Sequence, residues 1–132
     1  MTKFISTFAL VIIAHIATAQ VDALRLRVAR ELEDINLTII PSRYTEELAL
    51  KVLDQYEESG FGGLNELMEA NRDTTMTLNA GLNLFITDDQ SKLIDQVANN
   101  GVYLRYDDIK KAAISVAQAT NGAYIVLISS HL

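Results

Sequence analysis

Two acidic pairs, Asp88-Asp89 and Asp107-Asp108, are the residues of this chain whose type and spacing lend themselves to chemistry. Each follows a short apolar run, "LNLFIT" before the first and "VYLRY" before the second, and each precedes a segment with helical spacing. In a parallel α/β sheet the ligand site lies beyond the carboxyl ends of the strands, where both pairs would then fall. Four carboxylates converging there supply the hard oxygen ligands that hold Mg²⁺ or Ca²⁺. Carboxylates in pairs can also run acid–base hydrolysis, one protonated and the other ionised. A plainer role is open to the same residues. An aspartate at a helix start accepts backbone N–H bonds and complements the helix dipole, which stabilises by about 0.5–2 kcal/mol.

Other chemistries have little to work with. The chain has no cysteine, which excludes disulfides, thiol nucleophiles and zinc–thiolate centres. Its two histidines are His15, in an apolar segment, and His131, the penultimate residue, so a Ser-His-Asp triad would have to form around a fraying chain end. The net charge is −6, and −7 without residues 1–19, which contain Lys3. Apart from Arg25, Arg27 and Arg30 there is no dense basic face, so nucleic acid is excluded as a partner on charge. Most of the seventeen acids, among them Glu46, Glu47, Glu57, Glu58, Glu66 and Glu69, read as solvated helix surface.

The elements that would position the acidic pairs follow from hydrophobic period. Val21, Leu24, Val28, Leu32 and Ile35 mark one face of an amphipathic helix, which "NLTIIP" breaks. Within that break, Asn36-Leu37-Thr38 is a glycosylation sequon. "SRYTEELALKVLDQYEESG" predicts a second helix ending at Gly60, "GFGG" a flexible turn, and Leu64–Asn71 a short third helix. From Met76 to Ile86 the period becomes two, which predicts a strand. "TDDQSKLIDQVANNG" then predicts a helix capped by Asp88 or Asp89 and ended by Gly101. "VYLRY" predicts a strand, "DDIKKAAISVAQATNG" a helix ended by Gly122, and "AYIVLIS" a strand buried on both faces. The fold class is therefore α/β, or α+β: a helical first half and a C-terminal β-α-β-α-β unit forming a small mixed or parallel sheet with right-handed crossovers. In the strand at 102–106, Tyr103 and Tyr106 lie an odd number of residues apart and cannot both face inward, which leaves one aromatic exposed as an interaction residue.

"LNLFITDDQSKLIDQVANNGVYL" resembles the opening of a bacterial response-regulator receiver domain, and "AYIVLISSHL" resembles that family's third strand. The resemblance implies a parallel sheet in which Asp88 and Asp89 are the Mg²⁺-binding acidic pair, but the phosphoacceptor position is Ser129 instead of aspartate. It covers only the C-terminal part of the chain and includes no counterpart of the family's switch Ser/Thr or its lysine. We read the likeness as convergent βαβ patterning.

The compartment is set by the first residues. Lys3, the apolar run Phe4–Ala14 and the small residues Ala17-Thr18-Ala19 before Gln20 are the three parts of a signal peptide. Phe4–Ala19 is sixteen residues and includes Ser6, Thr7, His15 and Thr18, short of the ~20 apolar residues a spanning helix needs. The expected organisation is a signal peptide over 1–19, with a retained membrane anchor as the alternative, and one globular domain over 20–132. Contact with a membrane is expected only if residues 1–19 are retained. The expected protein is secreted or periplasmic, has no cofactor apart from the Mg²⁺ or Ca²⁺ that the acidic pairs would bind, and is a non-catalytic module binding an unknown protein. The alternatives are a membrane-anchored subunit and a carboxylate cation site or hydrolase on Asp88, Asp89, Asp107 and Asp108.

Overall fold

The computed structural model describes residues 19–72, 81–101 and 109–131. Helix α1 covers residues 19–34 and buries Leu24, Val28 and Leu32, one per turn, completely. Ile35, expected on the same stripe, is instead 43% exposed, because the helix stops before it. The stop is a Schellman turn: Asn36 N–H reaches Glu33 O at 2.9 Å and Leu37 N–H reaches Leu32 O at 3.1 Å. Asn36 carries the left-handed φ of 67°, and the reversal turns Leu37 into the core beside Leu32.

Strand β1 (Thr38–Ile39) follows, then helix α2 (Arg43–Ser59). Ser42 caps α2 by accepting the Thr45 N–H, and Gly60, at φ 61°, ends it by donating to Tyr56 O. Helix α3 (Leu64–Ala70) starts after Gly63. Strand β2 (Gly81–Thr87) leads to helix α4 (Gln90–Gln96), which widens into a π turn over Val97–Gly101. The remaining elements are β3 (Lys111–Gln118) and β4 (Tyr124–His131). No helix among the described residues is long and apolar enough to cross a membrane.

The four strands form one mixed sheet in the order β1-β3-β4-β2. Side chains alternate across β4. Tyr124, Val126 and Ile128 pack with α1, Leu93 of α4 and Val97, while Ile125 and Leu127 pack with Leu48, Ala49 and Val52 of α2 and Leu64 of α3. Helices thus cover both faces, and central β4 is buried from Tyr124 through Ser130, as its unbroken apolar run requires. The class is mixed α/β with the helices leading.

Within that class two expectations are corrected. Lys111–Gln118, expected to be helical, is strand β3, paired antiparallel with β4 from Lys111↔His131 to Gln118↔Tyr124. The Asn121-Gly122 pair, which reads as a helix end, is the tip of a β-hairpin. Gly122 N–H donates to Ala119 O at 2.9 Å, Ala119 N–H donates to Ala123 O at 2.8 Å, and Gly122 takes φ 92°, the pattern of a three-residue hairpin loop. Alternation of Ala112, Ile114 and Val116 on one face with Ala113, Ser115 and Ala117 on the other outweighs the helix propensity of the alanines. The parallel crossovers are also corrected, since β2 and β3 both run antiparallel to β4, and among the described residues only the short β1–β3 pair is parallel. Antiparallel β2 and β4 also remove the receiver-domain likeness, which requires those two strands to be parallel.

Candidate functional site

Asp89 is the N-cap of α4: its Oδ1 accepts the Lys92 N–H at 3.0 Å, and its own N–H donates to Thr87 Oγ1 at 3.1 Å. Capping accounts for this residue. Asp88, one residue earlier, is exposed at the end of β2 and lines a cleft. Asp107 and Asp108, and with them Tyr103 and Tyr106, lie outside the described residues. Among the described residues no group of three or more His, Asp or Glu side chains is placed to hold a metal ion. The sequon residue Asn36 is exposed on its left-handed turn, with Thr38 exposed beside it.

The cleft beside Asp88 has a volume of about 280 Å³. Its walls come from three places: Tyr56 and Phe61 at the end of α2 and the turn after it, Ile86, Thr87 and Asp88 at the end of β2, and Asn121 and Ala123 in the β3–β4 hairpin. Each part is fixed by local chemistry. Glu57 accepts both the N–H and the hydroxyl of Thr120 at 2.6 Å, clamping the hairpin tip to the last turns of α2. Those two bonds, the hydroxyl first, hold the Glu57 carboxyl below its ordinary range against a small opposing effect of desolvation. Asn121 Nδ2 donates to Tyr56 Oη at 2.9 Å, and Asn121 Oδ1 accepts the Ala123 N–H at 3.0 Å. Phe61 meets the Tyr56 ring edge to face, centroids 5.6 Å apart at 74°, yet stays 71% exposed. The cleft is therefore lined by two aromatic rings, by the aliphatic Ile86 and Ala123, and by the polar Thr87, Asp88 and Asn121. Its volume falls just below the range for small-molecule pockets, ~300–1,000 Å³, and is large enough for a single side chain.

A second polar cluster runs through the interior at the opposite end of α2. Thr45 Oγ1 donates to Ser42 Oγ at 2.9 Å, Thr45 Oγ1 and Ser129 Oγ are 2.6 Å apart, and Ser129 Oγ is 2.8 Å from His131 Nε2. His131 is thus not at a frayed end. It is the last residue of β4, paired with Lys111. The Ser129–His131 contact has the distance of a nucleophile and its base. Counting protons gives another answer. Thr45 has one hydroxyl proton and directs it at Ser42, so Ser129 must give its own proton to Thr45, and His131 Nε2 must donate to Ser129. The imidazole is then a donor to Ser129 and not its base, and Ser129 is fully buried. Burial first, then the charge of Lys111, hold the imidazole below its ordinary range. The chain of hydroxyls ties the start of α2 to the central strand.

Neither group was visible as a site in the sequence. The cleft depends on the hairpin, whose signal was the Asn-Gly pair between alternating residues, and on Phe61, whose signal was a lone aromatic among three glycines. Comparison of the chain with protein-family models, with curated proteins and with solved structures finds no match.

Proposed function

We propose that the protein is a small exported binding module that engages another protein through the cleft framed by Phe61, Ile86, Thr87, Asp88 and Asn121. The observation that carries this reading is Phe61, the most exposed large apolar residue among the described residues, set edge to face against Tyr56 while 71% of it faces solvent. A positioned aromatic loses little conformational freedom on binding, and such residues dominate interface energetics. The cleft beside it accepts an apolar side chain, and the lining residues Thr87, Asp88 and Asn121 supply direction through hydrogen bonds. The export part rests on the signal-like residues 1–19.

The test compares immobilised wild type with Phe61→Ala in medium conditioned by the native host. Wild type should retain one partner saturably, and the variant should bind it at least ~30-fold more weakly, the effect of a hot-spot residue worth about 2 kcal/mol. The variant should melt like wild type, because Phe61 contributes little to the core. Equal retention by both proteins would overturn the assignment of the cleft.

A further inference from the structure

We propose that Gln20, once it becomes the first residue of the chain, cyclises to pyroglutamate, and that the Tyr124 hydroxyl accelerates the reaction. The inference rests on the export reading, in which the chain is cut between Ala19 and Gln20. Gln20 is in the first turn of α1, and its Oε1 accepts a hydrogen bond from Tyr124 Oη at 3.1 Å. Tyr124 is the first residue of β4, 6% exposed, and packed in the core cluster with Leu24 and Val28. The sheet therefore fixes the donor, and the donor holds the carboxamide at its oxygen.

Cyclisation needs nothing beyond these groups. The free α-amine of Gln20 attacks Cδ, Oε1 takes negative charge in the tetrahedral intermediate, and the Cδ–Nε2 bond breaks. The departing nitrogen leaves as ammonia with the proton the amine gives up, so no oxidant or co-reactant enters. Tyr124 Oη already points at the oxygen on which charge develops, the geometry by which a preorganised donor lowers such a barrier. The product also suits its place. A protonated amine at residue 20 would stand at the positive end of the α1 dipole, and the lactam removes that charge. The lactam keeps the same carbonyl oxygen as an acceptor.

The full-length chain, wild type and Tyr124→Phe, is expressed in an exporting host without a glutaminyl cyclase, and the released protein is followed by intact mass and N-terminal sequencing. Both proteins should begin at Gln20. Wild type should lose one ammonia at least about tenfold faster than Tyr124→Phe, a modest share of the ~10²–10³ that an oxyanion donor contributes in an enzyme. The variant should approach the rate of the unstructured peptide 20–28. Wild type unfolded in urea makes the same comparison without a substitution and should also match the peptide. If wild type, variant and peptide cyclise at one rate, the proposal is overturned while export stands. A released chain with any other first residue, or none released, overturns the export reading and the proposal with it.

Discussion

Replacing Thr45 by valine keeps the shape of a side chain that is 1% exposed and removes the middle of the hydroxyl chain. Ser129, which is 0% exposed, loses the acceptor for its O–H. A buried hydroxyl left without a partner costs about 1–3 kcal/mol, and Thr45→Val should approach that loss in acid, where the charged His131 ring cannot accept the Ser129 proton, as read by chemical denaturation followed by circular dichroism. Ser129→Ala removes the orphan along with its bonds. Thr45 then still donates to Ser42, and the half-buried His131 can turn to water, so this variant should lose only about 1 kcal/mol. The double variant has no stranded proton, and in acid its loss should fall short of the sum by about 1 kcal/mol or more. The Thr45→Val penalty should also grow with acid. Neutral His131 can move its proton to Nδ1 and accept from Ser129, whereas the charged ring below its titration donates from both nitrogens. Losses that add within ~0.5 kcal/mol in acid, or a penalty independent of pH, would refute the proton directions assigned to the chain.

Further outcomes follow from the same structure. The pKa of His131 is lower in the fold than the 6.5 of a free imidazole, so the unfolded chain binds more protons below that pH; its share of stability is complete above pH 6.5 and is lost as pH falls through the folded value. His131→Gln should flatten the fall in melting temperature on acidification from neutral pH, and an unchanged slope would assign the effect to other groups. Glu57 has its pKa held below 4.5 by Thr120, so its contribution is present above pH 4.5 and is lost in more acidic solution; Glu57→Gln should lower the melting temperature at neutral pH and shallow its acid limb. Gly122→Ala meets no atom within 4 Å but must adopt φ 92°, and should destabilise by about 1–2 kcal/mol through backbone strain alone, measured by denaturant midpoint. Asn36→Ala faces the same left-handed requirement at φ 67° and should lose about 1 kcal/mol, whereas Asn36→Gly should hold or gain stability.

What the sequence makes legible is local and strongly periodic. The stripe Leu24, Val28, Leu32 and the cap residues Gly60 and Asp89 act as their types predict, because each depends on neighbours within a turn or two. Lys111–Gln118 misleads because its alanines fit a helix as well as a strand, and only pairing with β4 decides between them. That single change alters the topology, since a hairpin replaces a crossover and makes most of the sheet antiparallel. The cleft was out of reach for the same reason. Tyr56, Ile86 and Asn121 are brought together by the β2–β4 register and the Glu57–Thr120 clamp, which are long-range facts with no local periodicity. His131 lies near the chain end in sequence, yet strand pairing with Lys111, a long-range contact, orders it.

The central claim is that the Phe61 cleft is where this protein meets its partner. A photo-crosslinking amino acid placed at position 61, and separately at Leu50, which is 58% exposed on α2, tests it in medium conditioned by the native host. The account predicts one discrete adduct from position 61, competed away by unlabelled wild type, and no such adduct from position 50. No adduct at position 61, or the same adducts from both positions, would contradict it.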